Sequence, residues 1–115
     1  MVDHSRLGAL RDKGPRAEAM VRRIISAFTT QAEEDLTEIQ ESVAEADAAR
    51  LSFAAHRLKG SAANVGAVRI AELCLEIEQQ SSAGNVVVDA ERLADLGDAV
   101  SATVAELAAD RSEAG

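Results

Sequence analysis

The 115-residue chain predicts an all-α fold, an antiparallel up-and-down four-helix bundle with a short additional N-terminal helix. Three observations carry that prediction. The sequence holds 24 alanines against 7 glycines and 1 proline, so strong helix formers abound and breakers are scarce. Apolar residues recur at steps of three and four, the spacing of one helix face, through most of the chain. Breaker-rich points at Gly14-Pro15, Gly66 and Ser81-Ser82-Ala83-Gly84-Asn85 divide it into segments joined by short turns, which pack most simply as antiparallel neighbours.

Taken in order, a short helix over about 5–13 carries Leu7 and Leu10 and is closed by Gly14. Pro15 suits the first turn of a second helix, about 15–45, whose apolar residues are Val21, Ile25, Phe28, Ala32, Leu36, Ile39 and Val43. At 1.5 Å per residue that helix is about 45 Å long. Asp47 offers a side-chain oxygen as N-cap of a third helix, about 47–65, which ends at Gly66 in the C′ position. Its stripe is Leu51, Ala55, Leu58, Ala62 and Val65. A fourth helix, about 67–80, presents Ile70, Leu73 and Ile77, and Asp89 caps a fifth, about 89–110, with Leu93, Leu96, Val100, Val104 and Leu107. Residues 111–115 are polar and expected to fray. The whole of 1–115 reads as a single domain.

Charge and composition exclude several functions. With 12 basic and 20 acidic residues the net charge is −8, which argues against nucleic-acid binding driven by phosphate neutralisation. Trp and Tyr are absent, so no base-stacking platform exists. No apolar run approaches the roughly 18 residues of a membrane span, and the N-terminus lacks a signal-peptide core. The lone Cys74 excludes a disulfide framework and reads as a small buried hydrophobe, consistent with a cytoplasmic chain. His4 and His56 are the only histidines, without partners at metal-ligand spacing, so no metal site is expected.

On a helical wheel the core stripe of the third helix leaves His56 about 140° away, pointing to water. Its face at spacings of three, four and seven holds Ala49, Ser52, Phe53, Lys59, Gly60 and Ala63. Gly60 sits mid-helix at a cost of about 1 kcal/mol relative to Ala. Phe53 is apolar yet outward, and Lys59 lies one turn from the imidazole. Alone, each feature is ordinary. Together they describe a bare patch around one nucleophile-capable side chain, open to another protein's surface.

The run His56-Arg57-Leu58-Lys59-Gly60-Ser61-Ala62-Ala63-Asn64-Val65-Gly66-Ala67 closely resembles the signature of histidine-containing phosphotransfer (HPt) domains. The similarity extends to Leu51 and Ala55 before it and to Arg69, Ile70, Ala71, Leu73 and Cys74 after it. That resemblance implies a phosphorelay carrier, a phosphoprotein of two-component signalling in which His56 takes a phosphoryl group from one receiver-domain aspartate and passes it to another. It implies response-regulator receiver domains as partners, with a hybrid sensor kinase as a candidate, no autokinase or ATP-binding activity, and a monomer. No cofactor belongs to this chain, and Mg2+ is expected on the partner receiver. The chemistry suits these residues. An exposed imidazole ordinarily titrates near about 6.5 and attacks through a ring nitrogen. The Lys59 charge disfavours imidazolium and offsets negative charge on the transferring group. Ala49, Ser52, Phe53, Arg57, Gly60 and Ala63 form the expected docking surface. Arg57 and Arg69 are candidates for added positive potential.

One position departs from the family pattern. Where many members carry a supporting glutamine on the following helix, this chain has Glu78, followed by Gln79. Both are candidates to support the histidine, Glu78 by pairing with Lys59 or by orienting the imidazole. The alternative function is a non-catalytic helical adaptor that docks a partner through the Phe53, His56 and Gly60 face.

Overall fold

The structure is a computed structural model that describes residues 7–8, 15–81, 84, 86, 88 and 90–114. Its long helices are α1 (Pro15–Ala44), α2 (Ala48–Val65), α3 (Val68–Ser81) and α4 (Ala90–Ala114), and no strand occurs among the described residues. Each helix packs against its chain neighbours and α1 closes the ring onto α4, while the diagonal pairs stay apart. With turns of two or three residues between α1, α2 and α3, this is the expected antiparallel bundle, 47 × 19 × 18 Å. Of the expected short N-terminal helix, Leu7 and Gly8 are described, both helical, with Leu7 buried in the core. Its remainder, and the expected cap at Asp89, lie outside the described residues. The last helix runs to Ala114 and so passes the end expected near residue 110. No helix among the described residues is long and apolar enough to cross a membrane.

The caps explain where the helices stop. Asp47 adopts an extended conformation, and its side chain accepts the Arg50 N–H at 3.1 Å, satisfying a donor of the first turn of α2. At the other end Gly66 takes the left-handed conformation, φ 75°. Its N–H bonds the Ala63 carbonyl while that of Ala67 bonds Ala62 at 2.8 Å, the paired bonds of a Schellman motif. The same motif ends α1, where the Ala46 N–H bonds Val43 and that of Asp47 bonds Ser42. Here the left-handed residue is Ala46, φ 55°. Arg50 then ties this turn down, its guanidinium meeting Glu38 and Glu41 of α1 and Glu45 of the turn itself.

The core corrects the expected stripes of α1 and α4; on α4, Leu93 and Val104 are half-buried, while Ala99 and Thr103 are buried beside Leu96, Val100 and Leu107. On α1 the buried positions after Ala17 are Val21, Ile25, Phe28, Ala32, Asp35, Ile39 and Ser42, an alternation of four and three from Val21 onward. Leu36 and Val43, expected in the core, are only half-buried. An alternating 4-3 repeat averages 3.5 residues and keeps one seam toward the neighbouring helices, as in supercoiled packing. Polar residues therefore occupy two core positions of α1, and both find partners. Ser42 Oγ donates to the Glu38 carbonyl at 2.6 Å, and Asp35 is held from α2. On α2 and α3 every residue of the expected stripes is buried. Cys74 is buried as well, and desolvation, with the charges of Asp35 and Glu78 adding, pushes its thiol up to about 12.

Candidate functional site

The packed hairpin of α2 and α3 brings Glu78 of α3 to two side chains of α2, His56 and Lys59, that lie one turn apart. His56 projects from the outer side of α2 with 68% of its side chain exposed, as the wheel predicts. Its Nδ1 lies 2.9 Å from Oε1 of Glu78 on α3. Lys59, one turn along α2, donates from Nζ to the other carboxylate oxygen, Oε2, at 2.6 Å. Glu78 thus meets both partners at once, where the sequence left pairing with Lys59 and orienting the imidazole as alternatives. The Lys59 hydrogen bond chiefly, aided by that of His56 and opposed by burial, holds the Glu78 carboxyl below its ordinary 4.5. An ionised carboxylate can only accept, so the proton of the hydrogen bond sits on Nδ1, and in the neutral ring Nε2 carries the free lone pair.

Around the imidazole, Ala49, Phe53, Gly60 and Ala63 are exposed, while Ser52 and Lys59 are half-buried. A Cβ added to Gly60 would meet nothing within 4 Å, so internal packing does not require a glycine there. Gln79, the second candidate supporting residue, is exposed on α3.

Arg57 and Arg69 leave the imidazole. Arg57 Nε bonds Asp35 on α1 at 2.6 Å, and its guanidinium lies 5.6 Å from the centre of the Phe53 ring. Arg69 pairs with Glu72 at 3.7 Å and lines a groove shared with Asp95, Asp98 and Ala99 of α4. Asp35 is the participant that the sequence reading missed. Its signal was a polar residue at a core step of α1, three positions after Ala32. Among the described residues, no group of three or more His, Cys, Asp or Glu side chains is arranged to hold a metal ion.

No curated protein matches the sequence. Among solved structures, the fold is similar to that of the HPT domain from an Hpt sensor hybrid histidine kinase of Shewanella. The TM-score is 0.73 at 18% identity, covering 97% of this chain and 94% of that one. The family model of the Hpt domain matches residues 23–110, a span that holds α2, α3, the His56 run and most of α1 and α4. A match over that much of the sequence places the chain in the Hpt domain family.

Proposed function

We propose that the chain is a phosphorelay intermediate in which His56 accepts a phosphoryl group from the aspartyl phosphate of one receiver domain and delivers it to the aspartate of another. The observation that carries this reading is the state of the imidazole. Glu78 occupies Nδ1, which leaves Nε2 as the nucleophile on an exposed, nearly bare surface. In the transfer, the Nε2 lone pair forms a bond to phosphorus as the phosphorus–oxygen bond of the acyl phosphate breaks, its electron pair leaving with the aspartyl carboxylate. Lys59, 29% exposed, offsets charge on the transferring oxygens. Phe53, Gly60, Ala49 and Ala63 give the receiver a flat docking surface. Within a two-component pathway the chain then acts as a cytoplasmic, monomeric phosphoprotein.

The test is radiolabel uptake from phosphorylated receiver domains. The wild-type chain takes up acid-labile label, while His56→Gln takes up none and keeps its helical circular dichroism and melting temperature. Receiver binding without label transfer would identify an adaptor and overturn the carrier reading.

A further inference from the structure

The acceptor at Nδ1 carries a full negative charge, which a neutral acceptor in the same place would not. Two ionisable groups lie beside the ring, and a third neighbour on α2 turns away from it. Glu78 faces it from α3 at 2.9 Å. Lys59 shares that carboxylate from α2. Arg57, also on α2, turns the other way to Asp35 of α1. The Glu78 side chain is only 22% exposed, so solvent screens its charge less than it would on an open surface.

Resting on the carrier reading above, we propose that Glu78 is the counter-ion of the phosphorylated imidazole, a positioning residue that keeps one proton on Nδ1 throughout the relay. The accounting of atoms requires such a charge. When neutral, Nδ1-protonated His56 attacks through Nε2, the product is a ring bearing a proton on Nδ1 and phosphorus on Nε2, an imidazolium cation. No proton has left. In onward transfer a carboxylate oxygen of the second receiver attacks phosphorus and the nitrogen–phosphorus bond breaks. Its electron pair returns to Nε2 and restores neutral imidazole. Had the Nδ1 proton been lost in between, the leaving group would be an imidazolate anion, a far poorer one. A carboxylate within hydrogen-bond distance holds the proton through both steps, since an opposite charge at that range favours the charged form of its partner. Lys59 modulates the effect. While it bonds Oε2 it neutralises part of the carboxylate, and when it turns to the phosphoryl oxygens the whole charge of Glu78 faces the ring.

The experiment titrates the phosphorylated ring. Phosphoramidate, a small donor that needs no receiver, is used to phosphorylate the full chain, and the ring nitrogens are followed against pH by two-bond proton–nitrogen NMR. In Glu78→Gln, where an amide oxygen still accepts from Nδ1, the midpoint of the phosphorylated ring falls by about one pH unit or more. In Lys59→Met it rises, because a positive charge that disfavours the imidazolium, on whichever partner it rests, has been removed. A merely structural role would not move the two variants in opposite directions. An unchanged midpoint in Glu78→Gln overturns the proposal while leaving His56 as carrier, and if that variant fails to fold, an unchanged midpoint in Lys59→Met does the same. A wild-type chain with no phosphohistidine phosphorus signal, from phosphoramidate or from phosphorylated receivers, overturns the carrier reading itself.

Discussion

The Arg57 guanidinium reaches from the outer side of α2 to the carboxylate of Asp35, which is fully buried on α1. Asp35 Oδ1 also accepts from Gln31 at 3.0 Å, and among the described residues Arg57 supplies the opposite charge that meets this carboxylate. Removing one partner of a buried pair strands the other, which costs more than the pair contributes. Arg57→Met therefore destabilises the bundle by about 2 kcal/mol, less than for a fully buried pair because the guanidinium is partly exposed. In that background Asp35→Asn, neutral at equal volume, recovers at least about half of the loss. Urea denaturation of the single and double variants checks this. A double variant no more stable than Arg57→Met would show that the stranded carboxylate is not the source of the loss.

Gly60 and Gly97 form a matched pair, since both lie within helices and a Cβ at either meets nothing within 4 Å. Replacing either by Ala stabilises the bundle by up to about 1 kcal/mol in thermal melts. Only position 60 lies beside His56. Gly60→Gln slows transfer from a receiver by on the order of tenfold, equivalent to about 1.4 kcal/mol, through bulk at the docking surface. Gly97→Gln leaves the rate unchanged. Equal rates in the two Gln variants would remove close approach as the reason for a glycine at 60.

Much of this arrangement was legible in the sequence. The stripes of α2 and α3, the Asp47 cap and the Gly66 stop follow local rules of spacing and backbone conformation, and the outward direction of His56 follows from the same wheel. Where the reading fell short, the decisive interaction was non-local. On α1 the apolar residues Leu36 and Val43 drew the expected stripe away from Asp35 and Ser42, because burial of a carboxylate makes sense only once Arg57 arrives from another helix. For Glu78 the residue was identified but its double partnership was not, since that depends on the relative rotation of α2 and α3.

Ala46 holds a left-handed conformation that favours glycine, φ 55°. Ala46→Gly removes that strain at an exposed turn and stabilises the protein by up to about 1 kcal/mol, offset in part by the greater freedom of the unfolded chain. Chemical denaturation measures the gain. A loss of stability would mean that the turn tolerates alanine without strain.

Glu78 and Glu38 both titrate below the ordinary glutamate value of 4.5 in the folded state, Glu78 chiefly through Lys59 and Glu38 chiefly through Arg50. A depressed carboxyl contributes stability that is present above the unfolded value and is lost as pH falls through the folded one. Stability therefore declines as pH drops below about 4.5, and the decline is shallower in Glu78→Gln and Glu38→Gln than in wild type. Denaturation midpoints between pH 3 and 7, on the order of one unit apart, give the slopes. Parallel slopes in all three proteins would show that neither carboxyl is coupled to folding.

The Schellman turn at Gly66 makes the α2–α3 hairpin an angular ruler. Lys59 and Glu78 are nineteen positions apart, yet they meet because the two helices leave that turn in a fixed rotational phase. One residue inserted within either helix between them would swing the positions beyond it by about 100° and shift them about 1.5 Å along the axis. Glu78 would then leave His56 and Lys59 although every side chain of the site was still present. The length of chain between the two helical turns is therefore itself part of the site, held to the residue.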